Sequence, residues 1–278
     1  MRGRRLALVV LLVAALTVGT VSTAEARPWH GRTHHRQPVA TAPATPTASA
    51  TPTSTSTPTV TPTAPDDDDP TFFEDFTTAA AAGGPFAREY ADAWQPYPDG
   101  TGGMYYSAPL ISAHDGVMDV TLDGKRGAAG TFGTPDGAWG HVGGTFTIRA
   151  KATGGDGNGT AVMLWPTSNV WADGEIDYPE GNFDAAPSAF HHSMTAGQEA
   201  SAQYLATGVD WRSWHTYSET WIPGKSVTYS VDGKTIGTVA HDVPTTPHRF
   251  MFQTGNWGDA GHLLIDWVST DDLDSAGR

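Results

Sequence analysis

Five short runs in the second half of the chain, GTFTIRAKA, TAVMLWP, SVTYSV, HRFMFQT and HLLIDWV, carry apolar and polar positions in period-two alternation. Such spacing puts every second side chain on one face, so it predicts half-buried β-strands rather than helices. The run SVTYSVDGKTIGTV predicts a hairpin, with Asp232 and Gly233 supplying the positive backbone dihedrals of a tight turn. Many of the 32 glycines and 20 prolines of the chain fall between these runs as turn punctuation. Helical periodicity is scarce, and no internal repeat is visible. The pattern predicts an all-β domain, an antiparallel β-sandwich.

The N-terminal quarter follows other rules. Arginines, an apolar run from Leu6 to about Val18 and a small-residue site ending at Ala26 predict a signal peptide over residues 1–26. The apolar run is too short for a membrane anchor. Residues 27–69 are dominated by Thr, Pro, Ala and Ser and end in four aspartates, a composition that cannot bury apolar surface and predicts a disordered linker. Residues 70–278 then form one catalytic-sized domain. A secreted, extracellular protein is expected. It has no cysteine, so neither disulfides nor thiolate chemistry are available to it. The formal net charge of −14 argues against nucleic acid and anionic membranes as partners and favours neutral ones.

Nine of the ten tryptophans lie in the domain, and Trp165 and Trp171 flank the stretch DGEIDYPEGN. Aromatic faces stack on apolar sugar faces while the indole N–H remains a donor, so aromatics around carboxylates suggest a carbohydrate cleft. Within the stretch, Glu175 and Asp177 share a strand face, whereas Glu180 has the wrong parity. A bulge absorbing one residue would restore it, and Pro179 stands where that bulge is needed. Glu175 and Glu180 would then lie roughly 13 Å apart at Cα, and side chains leaning together would leave about 5 Å between carboxyls. Retaining glycosidases need about 5–5.5 Å, and inverting ones more. Three carboxylates this close cannot all ionise freely, which can leave one nucleophile and one acid. The competing reading of the stretch is a solvated acidic strand face.

With these residues in view, the chain resembles glycoside hydrolase family 16. EIDYPE is similar to the family's E-x-D-x-x-E signature in its bulged, laminarinase-like form, and the resemblance runs from Phe72 to Thr270. It implies a concanavalin-like jelly roll with a concave substrate cleft. It further implies that Glu175 is the nucleophile, Glu180 the acid/base, and Asp177 the residue that tunes the nucleophile. By the same resemblance His192 and Gln253 are cleft residues, Trp257 closes one end, and Asn182 holds the loop after Glu180. Catalysis requires no cofactor; relatives carry a structural calcium, for which Asp266 and Glu74 are the candidate ligands here.

The expected partner is a polysaccharide, with the enzyme acting as a monomer on internal β-glycosidic bonds of a β-1,3- or mixed-linked β-glucan. Transglycosylation at the same site is a second reading. A lectin-like module without catalysis is a third, although loss of a motif glutamate would be its mark and both are present.

Overall fold

The computed structural model describes residues 70–255 and 257–273. The predicted signal peptide and linker, residues 1–69, lie outside the described residues. Among those described there are fifteen strands. The first five, β1 (Phe72–Glu74), β2 (Trp94–Pro96), β3 (Ile111–His114), β4 (Val117–Leu122) and β5 (Ala129–Phe132), are short. Next come β6 (Gly144–Gly154), β7 (Gly159–Pro166) and the acidic strand β8 (Ile176–Asn182). They are followed by β9 (Ser188–His192), β10 (Ala202–Ala206), β11 (His215–Ile222), β12 (Ser226–Val231) and β13 (Lys234–Val239). Finally β14 (His248–Gly255) and β15 (Gly261–Asp271) close the domain.

The strands pair antiparallel into two sheets, a jelly-roll sandwich. The back sheet runs β13-β12-β11-β6-β15-β4-β3, with β1 on the second half of β15. The site sheet runs β10-β9-β8-β7-β14-β5-β2. All five alternating runs are strands, and the hairpin turns at Asp232 and Gly233, with φ of 50° and 74°. Only two short α-helices occur among the described residues, α1 (Gly84–Glu89) and α2 (Ser107–Leu110).

The core fills the space between the sheets. Phe146, Ile148, Tyr217, Tyr229 and Ile265 project from the back sheet against Leu164, Ile176, Tyr178, Phe250 and Phe252 of the site sheet. Each such side chain contributes about 1.5–3 kcal/mol through burial. Tyr178 fastens the acidic strand from behind. Its ring meets Tyr217 and Tyr229 edge-on at 5.7 and 5.4 Å, and its hydroxyl donates to the Ser230 carbonyl at 2.7 Å.

Candidate active site

The acidic strand contains the bulge that its proline calls for. Opposite it, Ala161 pairs with Glu180 and Met163 with Asp177, so Tyr178 and Pro179 together face Val162 alone. On the other side β9 registers the same extra residue, with Asp177 opposite Phe190 and Glu180 opposite Ser188. The Tyr178–Pro179 peptide is cis. Ile176 and Tyr178 point into the core, which leaves Asp177 and Glu180 on the outer face. Glu175 enters this face through Gly174, whose φ of 114° suits glycine and whose Cβ, if present, would meet Pro244 Cγ at 2.4 Å. His248 fixes this entry from β14, its Nε2 lying 3.2 Å from the Gly174 carbonyl.

Around the carboxylates the contacts are specific. The Trp171 indole N–H donates to Glu175 Oε2. His192 lies between two acids, its Nε2 3.0 Å from Asp177 Oδ2 and its Nδ1 3.9 Å from Glu175 Oε2. Nδ1 also lies 2.7 Å from the Glu199 carbonyl, so both ring nitrogens face acceptors, as an imidazolium requires. Burial opposes that charge, but the hydrogen bond to Asp177 and the charges of Asp177 and Glu175 outweigh it and lift His192 to about 10. Burial is also the main force lifting the Asp177 carboxyl to about 7; the His192 hydrogen bond works against it, and Glu180 adds to it. Two carboxyls this close oppose each other's ionisation, which is how Glu180 holds the Asp177 pKa up. Among the described residues, Glu175, Asp177 and His192 are also the one group of candidate metal ligands, with ligand atoms within 4.8 Å of one another.

A second apolar cluster lies on this outer face. Tyr97, Tyr105, Ala129, Ala161, Met163, Trp165 and Met251 are buried there, with Met104 and Trp171 packed at the margin. Trp165 therefore belongs to the floor, only 6% exposed, and its indole N–H is taken by Asn169 Oδ1 at 3.1 Å. Gln253 is on the same face, accepting from the Tyr105 hydroxyl at 2.7 Å. Asn182 ends β8 opposite Gly159. Trp257 is 43% exposed, at a positive φ of 56°. His191, by contrast, turns into the core and meets the Tyr229 hydroxyl at 2.8 Å.

A family model described as glycosyl hydrolases family 16 matches residues 108–269, more than half of the chain. The chain belongs to glycosyl hydrolase family 16. This family 16 glycosidase is also similar in fold to solved structures. One, from work on endo-acting O-glycanases of the human gut microbiota that initiate mucin breakdown, shares 15% identity at TM-score 0.60, over 74% of this chain and all of that one. The laminarinase from Rhodothermus marinus shares 17% at 0.58, over 74% of this chain and 98% of its own. The catalytic domain of an endo-1,3-β-glucanase from Thermotoga petrophila shares 17% at 0.58, over 75% and 99%. A search of curated proteins finds no match.

The glycosidase does not offer the calcium ligands that the resemblance implies. Asp266 stands at the bulge of β15 and is ion-paired with the Arg149 guanidinium, while Glu74 accepts the Phe76 N–H at 2.8 Å. A cation at Asp266 would have to displace Arg149, so this donor set does not fit the metal. Among the described residues no helix is long and apolar enough to cross a membrane.

Sequence reasoning missed Tyr97, Tyr105, Asn169, Met251 and Arg249, all of which build the floor. One signal was available. The family resemblance places Gln253 in the cleft, and strand parity carries Met251 and Arg249 to the same face.

Proposed function

We propose that this chain is a secreted, retaining endo-glycosidase that cleaves internal β-glycosidic bonds of a β-1,3- or mixed-linked β-glucan. The observation that carries this reading is the bulge at Tyr178 and Pro179, which turns Glu180 to the face of Asp177 and Glu175. In the first step a Glu175 carboxylate oxygen bonds the anomeric carbon as the glycosidic C–O bond breaks. Glu180 gives its proton to the departing oxygen. In the second, Glu180 takes a proton from water, whose oxygen displaces Glu175 from the same carbon, restoring both groups. The hydrogen bond from Trp171 supports Glu175 as the ionised partner, because a donor to the charged form favours it. The mutual opposition of Asp177 and Glu180 to ionisation supports Glu180 as the protonated acid, and His192, 3.0 Å from Asp177 Oδ2, holds Asp177 in place. The glucan assignment is supported by the laminarinases and glucanases among the similar folds. The signal-like N-terminus supports secretion.

The test is a reducing-end assay on laminarin and mixed-linkage glucan, with the anomer of the first products followed by NMR. The expected outcome is internal cleavage with β-products first, and loss of activity on the order of 10⁴-fold in Glu175→Gln. Products of inverted configuration would overturn retention. Binding without any cleavage would favour the lectin-like alternative.

A further inference from the structure

Arg249 is the unexplained residue of the cleft floor. It is 1% exposed, and burial lowers the pKa of its guanidinium. Its hydrogen bonds go to neutral groups: Nη2 donates to the Tyr97 hydroxyl at 3.0 Å and to Asn169 Oδ1 at 2.9 Å, and Nε reaches Met251 Sδ at 3.4 Å. Above the guanidinium lies the Trp139 ring, 4.6 Å away. Nη1, buried with the rest, has no acceptor. A buried guanidinium with no carboxylate beside it is strongly unfavourable, as when one partner of a buried ion pair is removed. A side chain that served only packing would be replaced at less cost by an apolar one.

Its position gives the cost a purpose. Arg249 pairs with Trp165 on β7, and one step beyond the pair Leu164–Ile176 puts Trp165 beside Glu175. Arg249 thus stands in the row of Glu175, two strands away, or roughly 10 Å at about 4.8 Å per strand. A polysaccharide lying across the strands with one unit at Glu175 brings a later unit over Arg249. Trp139 is 40% exposed on a turn between Gly133 and Gly140, so the part of its ring not covered by Arg249 can meet a sugar at that point.

We propose that Arg249 is a substrate-binding residue whose Nη1 donates to an oxygen of the sugar unit bound two strands from Glu175, beside Trp139. The acceptor is a pyranose hydroxyl on a neutral chain, or the carboxylate of an acidic unit in the same place. The proposal rests on the glycosidase reading for the direction of the chain across the sheet.

Binding is measured by calorimetry in a Glu175→Gln background, which separates the two readings because it needs no turnover. The probes are a β-1,3-gluco-oligosaccharide of six units, a disaccharide too short to reach from Glu175, and the six-unit chain oxidised to carboxylate at C6. Arg249→Gln is expected to weaken the six-unit chain about 10- to 100-fold and leave the disaccharide unchanged, with Arg249→Lys recovering part of the loss. Should the oxidised chain bind the parent protein more tightly and lose more in Arg249→Gln, the acceptor is a carboxylate; should the neutral chain lose as much, it is a hydroxyl. Trp139→Ala, which keeps Arg249 and its hydrogen bonds to Tyr97 and Asn169, is expected to weaken the six-unit chain alone. Equal losses on both lengths, no loss in either variant, or no binding of any probe to the parent protein would each overturn the assignment. Cleavage absent but the length-dependent loss present would instead sink the glycosidase reading and leave the site standing.

Discussion

The two sheets bury their strands differently. Along β6 and β12 burial alternates residue by residue, as expected where one face meets the core and the other meets water. Strand β7 is buried at all eight positions and β14 at seven of eight. Both sheets share one core, so the difference lies on the outer faces. On the back sheet that face is a hydroxyl ladder, with Thr145 Oγ1 3.1 Å from Thr220 Oγ1 and Thr147 donating to Ser218 at 3.0 Å. On the site sheet it carries a second apolar cluster and the acids. The outer face of β7 and β14 is therefore covered by a layer of packed side chains that the back sheet lacks. There the pKa of Asp177 rises because water is excluded.

Neighbouring residues on one strand can break this comparison. Phe250→Ala, toward the core, and Met251→Ala, toward the cleft floor, are both expected to destabilise by about 2–5 kcal/mol in urea unfolding. If Met251→Ala proves neutral, the outer face of β14 is not a packed layer. On the back sheet Phe146→Ala should cost as much, but its neighbour Thr147→Ala should not.

The next effect in size belongs to His192. Its folded pKa of about 10 exceeds the ordinary 6.5, so its contribution is complete below 6.5 and lost as pH rises through 10. His192→Gln should therefore lose about 1.5–3 kcal/mol at pH 6, with the gap to the parent closing by pH 10. A gap that does not change across this range would mean that the imidazolium contributes nothing to the fold.

Glu219 is the mirror case, an acid buried between the sheets with neither oxygen hydrogen-bonded. Burial, then the charge of Asp177, pushes its pKa well above 4.5, so the folded state holds it neutral and loses stability as pH rises past that value. Glu219→Gln should match the parent near pH 4 and exceed it by about 1–3 kcal/mol near pH 8, read from denaturation midpoints. An advantage that is already complete at pH 4 would contradict this. The smallest effect is Thr147→Ala, below about 0.5 kcal/mol, because its partner Ser218 stays hydrated on an open face.

Much of this was legible in the chain. Period-two runs marked five of the strands, and the parity conflict at Glu180 called for a bulge beside Pro179, where the pairing has one. The short helices and β10 left no periodic trace, being only four to six residues long. The floor was harder, because Tyr97, Tyr105 and Asn169 reach it from connecting segments far from Arg249 in the chain. Read singly, Arg249 looks like a surface residue. Trp165 was assigned to the cleft, yet nothing local reveals that Asn169 occupies its indole N–H.

The last strand of the domain, β15, does not lie at an edge. It pairs with β6 along one side and with β4 and β1 along the other. During synthesis the back sheet is therefore missing its middle until Gly261–Asp271 has left the ribosome. Until then nothing joins the β13-β12-β11-β6 half of the back sheet to β4 and β3, and closure of the sandwich waits for the last strand. A ribosome stalled with Gly261 still inside its exit tunnel should hold a protease-sensitive chain, while one stalled on an added C-terminal extension long enough to carry Asp271 out of the tunnel should hold the same domain already resistant.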